Sequence, residues 1–212
     1  MGSGKEGIMN CAYKNAKLHE CFGANRAEAE RFIHSRFLIA HGAKLKSVMP
    51  RLLAVRSVRD ELLGVLGFRC AARERLFLEN YLDQPIEQAI RMLAGKTAAR
   101  SAIAEIGNLA GNCPGAIRGG VVSLVLKKLH EEGYEWVVFT GTNSLRNGLK
   151  KLGLHPVEVC RAGRERLPEE ERGNWGSYFD NRPAVMIGNV REGLVALYPR
   201  RMGLAGRRWT SG

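Results

Sequence analysis

With 212 residues, 45% hydrophobic and 25% charged, the chain has the make-up of one globular domain with a sizeable core. Its 33 Lys and Arg against 21 Asp and Glu leave a formal charge of +12, which favours an acidic partner: nucleic acid, an anionic membrane face or an acidic carrier protein. No apolar run approaches the roughly 20 residues of a bilayer span, no secretory h-region opens the chain, and five scattered cysteines without a C-x-x-C pair argue against a disulfide framework and a zinc site, so a cytoplasmic location is expected.

Residues 1–24 are polar and weakly patterned and read as a flexible N-terminal extension. From Arg26 onward, Ala29, Phe32, Ile33, Phe37 and Leu38 recur at helical spacing. Segments 51–56 (RLLAVR) and 62–70 (LLGVLGFRC) form a hairpin through a turn at 57–61. Pro85 suits the first turn of a helix ending near Gly95, with Asp83 able to cap its start. Residues 102–109, 116–132 and 135–140 then read as strand, helix and strand, a β-α-β unit with a crossover helix. Asn143 is placed to cap a helix over 145–152 that stops at Gly153. A short strand at 155–160, a charged loop at 161–176 and a last strand at 184–190 follow.

Residues 193–212 form a basic C-terminal tail, with Arg200, Arg201, Arg207 and Arg208 unaccompanied by any acid after Pro199. The order β-β-α-β-α-β-α-β-β describes an α/β (α+β) protein with a mixed central sheet flanked by helices, in a single domain over 25–192. With a glycine-rich turn after its central strand, that order fits the acyl-CoA N-acyltransferase fold.

The chemistry-bearing residues gather around the central strand. Glu105 is a carboxylate on an otherwise apolar strand, where burial raises its pKa toward the work of a general base; the alternative is a structural acid bonded to backbone or arginine. Asn108 falls on the opposite face of a regular strand and joins Glu105 only if a bulge intervenes. Gly111, Asn112, Gly115 and Ala116 have little side-chain bulk and open into a helix, and with Arg118 they form a candidate cradle for the donor phosphate. Cys113 in that turn is a conceivable nucleophile without a nearby histidine in sequence. Asn143 is a helix cap, a donor contact, or both.

In LFLENYLD, Glu79, Tyr81 and Asp83 share a face if extended and, with Arg69 upstream, make a candidate acceptor site; capping by Asp83 and a surface role for Glu79 explain the same residues. Trp175 and Tyr178 can wall a pocket, and Tyr178 can return a proton to a leaving thiolate. The five histidines show no ligand spacing, so no metal is expected.

RFIHSRF at 31–37, MPRLLAVR at 49–56, GFRCA at 67–71, LFLENYLDQPIE at 76–87, EIGNLAG at 105–111, GAIR at 115–118, WVVFTGTNSLRNGLKKLGL at 136–154 and WGSYFDNRPAVMIGNV at 175–190 together resemble the bacterial thermostable hemolysin family. The resemblance covers roughly residues 26–192. That family is similar to GNAT-superfamily N-acyltransferases and, more distantly, to acyl-homoserine-lactone synthases, which take acyl groups from an acyl carrier protein. The resemblance implies transfer of a fatty acyl group from a phosphopantetheine thioester, on an acyl carrier protein or coenzyme A, to a small amine or amino acid. It implies no permanently bound cofactor. Asn108 stands where the lactone synthases carry arginine, and GNCPGAIR departs from the usual coenzyme A signature.

The family name raises a second function, membrane lysis without catalysis, but no clearly amphipathic inserting element is visible, so membrane contact is expected to be peripheral. Nucleic-acid binding is not expected, because no recognition motif accompanies the charge.

Overall fold

The computed structural model describes residues 15–112 and 120–198. A seven-stranded sheet runs through the molecule in the order β1-β2-β3-β4-β5-β7-β6. Its strands are β1 (Lys17–Glu20), β2 (Arg51–Arg56), β3 (Leu62–Cys70), β4 (Ile103–Gly111), β5 (Trp136–Gly141), β6 (Val157–Arg161) and β7 (Ala184–Asn189). Only β4 and β5 pair in parallel; every other neighbouring pair is antiparallel. The described helices are α1 (Gly23–His41), α2 (Ile86–Ala94), α3 (Gly120–Glu131), α4 (Asn143–Lys151), the short α5 (Glu169–Arg172) and α6 (Val190–Leu197).

Strand alternation sorts the helices onto two faces. On one face, Ala29, Ile33 and Phe37 of α1 pack on Leu52, Ala54 and Val65, while Ile86, Ala89 and Ile90 of α2 pack on Ile103, Val138 and Ile187. On the other, Val121, Val125 and Leu129 of α3 and Leu194 of α6 cover Leu53, Leu66, Phe68 and Ala104, and Leu149 of α4 covers Phe139 and Met186. The α1 stripe stops at Gly42, whose φ of 64° lets its N–H and that of Ala43 reach back to the carbonyls of Leu38 and Phe37.

The expected hairpin strands lie at the expected bounds, the other expected strands are present with ends shifted by no more than two residues, and the crossover helix is described from Gly120 onward. Four sequence readings are corrected. Lys17–Glu20, assigned to a loose extension, is an edge strand on β2, anchored by an ion pair of Glu20 with Arg51 at 2.6 Å. Leu194, assigned to the tail, is buried in α6, so the domain reaches beyond residue 192. Thr142, not Asn143, is the N-cap of α4: its Oγ1 faces Leu145 N at 3.5 Å. Asp83 caps nothing; α2 starts without a side-chain cap, and Asp83 is an exposed partner of Arg166 at 2.6 Å.

Candidate active site

Glu105 lies in the middle of the sheet, opposite Arg69 on β3 and Val138 on β5. Its side chain is 3% exposed. After β3 the chain makes a 3₁₀ turn, Phe77–Tyr81, because Leu76, Leu78 and Tyr81 all bury into the core above the strand. The first N–H groups of a helical turn have no partner within it. Here those of Phe77 and Leu78 donate to Glu105 Oε2 and Oε1, each at 2.9 Å. Arg69 Nε stands 3.4 Å from Oε2, off the line of a hydrogen bond.

Burial pushes the Glu105 carboxyl up, to about 7, and outweighs the opposing pull of Arg69 and the two N–H groups. A group that titrates near neutrality and keeps a second lone pair on Oε1 is suited to accept a proton.

The strand is not regular beyond Glu105. Gly67 pairs with Gly107 and Val65 with Ala110, so Leu66 alone faces both Asn108 and Leu109. This bulge places Asn108 at φ 48° and turns it onto the Glu105 side, where its Oδ1 accepts a hydrogen bond from Met49 N at 2.7 Å. The bulge lies where the sheet opens. Pairing between β4 and β5 stops at Ile106–Phe139, although β4 continues to Gly111 and β5 to Gly141.

A cavity of about 1430 Å³ occupies the opening and extends to both faces of the sheet. Glu105, Asn108, Arg69 and Tyr81 line it on one side, and Val122, Val125, Phe139, Leu149 and Leu154 on the other.

The wall opposite Glu105 is aromatic. Tyr178 lies 5.3 Å, ring to ring, from both Trp175 and His41, and Trp175 lies 5.5 Å from Phe77. The Tyr178 hydroxyl reaches the carbonyl of Thr140 at 3.4 Å, directly above the point where the strands part. Burial holds the phenols of Tyr81 and Tyr178 above their ordinary pKa, so both stay protonated, and it lowers that of His41, which favours the neutral ring.

Of the residues singled out from sequence, Glu105, Asn108, Tyr178, Gly111, Asn112, Arg69, Tyr81 and Trp175 all line this cavity. Asn112 is also engaged structurally: its Nδ2 donates to Leu62 O at 2.6 Å and its Oδ1 accepts from Arg36. Gly115, Ala116, Arg118 and Cys113 lie outside the described residues.

Three proposed contacts do not reach the cavity. Glu79 is buried, accepting from Leu76 N at 3.0 Å and Ile86 N at 3.2 Å and pairing with Arg100 at 2.8 Å. Because 77–81 is a 3₁₀ turn, Glu79, Tyr81 and Asp83 do not share a face, and Asp83 sits at the surface. Asn143 is held by Arg146, while Thr142, Ser144 and Asn147 face the cavity in its place.

Sequence reasoning missed His41, Met49 and Phe77. Phe37 and His41 are four apart on one helix, a legible pairing. Nothing local, however, points that pair at β4.

The fold is shared with solved structures of other proteins. The chain has 14% identity and a TM-score of 0.59 with FeeM, an N-acyl amino acid synthase from uncultured soil microbes, over 87% of this chain and 97% of that one. The acyl-homoserine-lactone synthase LasI gives 8% and 0.59 over 87% and 95%. The CoA-dependent acyl-homoserine lactone synthase MesI gives 16% and 0.50 over 90% and 97%. At these identities the likeness is one of fold, and the fold is that of GNAT-like acyltransferases. The chain belongs to the thermostable hemolysin family, whose profile matches residues 20–194. No curated protein sequence matches it.

Proposed function

We propose that the chain is an N-acyltransferase that moves a fatty acyl group from a phosphopantetheine thioester, on an acyl carrier protein or coenzyme A, to a small amine or amino acid. The observation that carries this reading is Glu105, a buried carboxyl titrating near 7 beside the opening between β4 and β5. The acceptor nitrogen attacks the thioester carbonyl, forming the N–C bond, and gives a proton to Glu105. The C–S bond breaks, and the Tyr178 hydroxyl, poised over the opening, protonates the leaving thiolate.

The apolar far side of the cavity, with Val122, Val125, Phe139, Leu149 and Leu154, suits an acyl chain. Lys46 and Lys151 on its rim suit an acidic carrier protein, whose encounter they would steer in a salt-sensitive way. A phosphopantetheine arm entering between the strands would meet backbone groups that β4 and β5 leave unpaired with each other, as FeeM and LasI, both synthases of acylated products, have the same fold. No described helix is long and apolar enough to cross a membrane.

The test is free-thiol release and product mass after mixing the protein with acyl-carrier-protein and acyl-coenzyme A thioesters, with and without pooled amino acids and amines. Acceptor-dependent thiol release that disappears in a folded Glu105→Gln variant supports the proposal. Absence of release with every donor and acceptor rejects it.

A further inference from the structure

We propose that Trp175 and His41 bind a carboxylate on the acceptor, which makes the preferred acceptor an α-amino acid rather than a simple amine. This rests on the acyltransferase reading and specifies its second substrate.

A polar atom buried without a partner is costly, and folded proteins rarely retain one without a reason. Four such side-chain atoms occur among the described residues. Arg69 Nε faces Glu105, and the Arg146 guanidinium is otherwise engaged by Glu158, Asn143 and Arg182. Trp175 Nε1 and His41 Nδ1 have no such explanation, and both residues line the cavity that holds Glu105.

Their placement is built rather than loose. Ser177 N donates to His41 O at 2.8 Å, and Lys44 N to Asn174 O at 2.7 Å, clamping the 174–177 segment to the end of α1. Gly176 between them has φ 48°, and a Cβ there would collide with the His41 carbonyl. Tyr178 packs against both rings and fixes their separation.

The chemistry of the two atoms selects the ligand. An indole N–H only donates, so its partner must accept. Burial favours the neutral His41 ring, whose Nδ1–H tautomer donates as well. A carboxylate accepts from both; an ammonium accepts from neither. The opposite pole is close by: Phe77 packs on Trp175 while its own N–H holds Glu105. In the proposed pose the acceptor's amine lies toward Glu105 and its carboxylate toward Trp175 and His41. Of the other charged groups on the wall, Arg69 pairs with Glu74 and Glu105, the Lys46 ammonium donates to Glu170 O, and Glu171 lies within 3.5 Å of Asn174 Nδ2.

The test compares L-phenylalanine with phenethylamine, and L-leucine with isoamylamine, as acceptors of one acyl thioester. In the wild type, kcat/KM favours each amino acid by about tenfold or more, the worth of one or two hydrogen bonds to a charged group. Trp175→Phe, which removes only the N–H and one ring, lowers that preference about tenfold through KM of the amino acid. His41→Phe acts likewise, and His41→Asn restores part of the preference.

Equal use of amino acid and amine by the wild type overturns the proposal. So does a change in donor KM without loss of preference, which would assign the N–H to the thioester carbonyl. Calorimetric titration with L-phenylalanine and phenethylamine separates this from the parent reading. Should no acyl transfer occur with any pair, tighter binding of the amino acid, lost in Trp175→Phe, still supports the carboxylate site, and equal binding or none rejects it.

Discussion

Asn108 Oδ1 accepts a hydrogen bond of 2.7 Å from the backbone N–H of Met49, joining the bulged strand β4 to the segment that leads into β2. The contact fixes where β4 turns away from β5. Met49 also lies over Gly67 and Gly107, where any side chain would meet it. The opening between β4 and β5 is therefore held by one amide and two bare backbone positions.

Asn108→Ala leaves the Met49 N–H without its partner and is expected to destabilise the fold by about 1–3 kcal/mol. Asn108→Val costs more, because a β-branched residue resists the φ of 48°. Urea denaturation of the two variants checks both the size and the order of the losses.

Glu105→Gln is expected to reduce acyl transfer by about a hundredfold or more while the fold is retained, the usual contribution of a general base. In the wild type the rate rises with pH through about 7 and then levels, because the ionised carboxyl is the active form. The same shift bears on stability. A carboxyl raised from 4.5 to about 7 favours the folded state below pH 4.5, and that contribution is lost as pH rises through 7. Relative to Glu105→Gln, the wild type should lose about 3 kcal/mol between acid and mildly alkaline pH. Parallel urea titrations of both proteins across that range would expose the difference; coincident stability profiles would refute it.

Glu79 is a structural acid. Burial works against its charge, but the Arg100 guanidinium and the N–H groups of Ile86 and Leu76 prevail and hold it below the usual range. Glu79→Ala strips three donors of their acceptor and should cost about 3 kcal/mol. Under conditions where the variant stays folded, its acceptor KM is unchanged. A raised KM in a folded Glu79→Gln protein would return this residue to the substrate.

Gly176→Ala forces a Cβ into the His41 carbonyl at a backbone conformation that only glycine adopts comfortably. A loss of about 2–4 kcal/mol is expected. Indole fluorescence should shift as Trp175 leaves its packing against Phe77 and Tyr178. Thermal melts followed by fluorescence read both effects together.

Val122→Phe narrows the apolar side of the cavity, between α3 and the Ile106–Phe139 junction. Preference should move from long to short acyl thioesters, since an overfilled pocket rejects added methylenes. Competition among short-, medium- and long-chain donors in one reaction measures it.

The sequence by itself determined the order of elements. The strand-like apolar runs at 51–56 and 62–70, the stop signals Gly95 and Gly153, and the helical stripe from Ala29 to Phe37 are local patterns of composition, period and turn chemistry, and each appears where expected. It also singled out Glu105, because one carboxylate in an apolar strand is visible without knowing its neighbours.

Tertiary structure decided what surrounds that carboxylate. Whether Asn108 shares a side with Glu105 depends on a bulge created by pairing with β3, and local alternation predicts the opposite. Glu79 and Glu105 look alike in sequence. One meets Arg100, with its charge held, while the other is buried against backbone N–H groups and an off-line Arg69, with its proton held until about pH 7. His41 and Trp175, 134 residues apart by their numbers, come together only because α1 ends against the 174–177 segment. Short-range spacing carries no record of such encounters, because packing across the chain decides which side chains meet and what their protons cost.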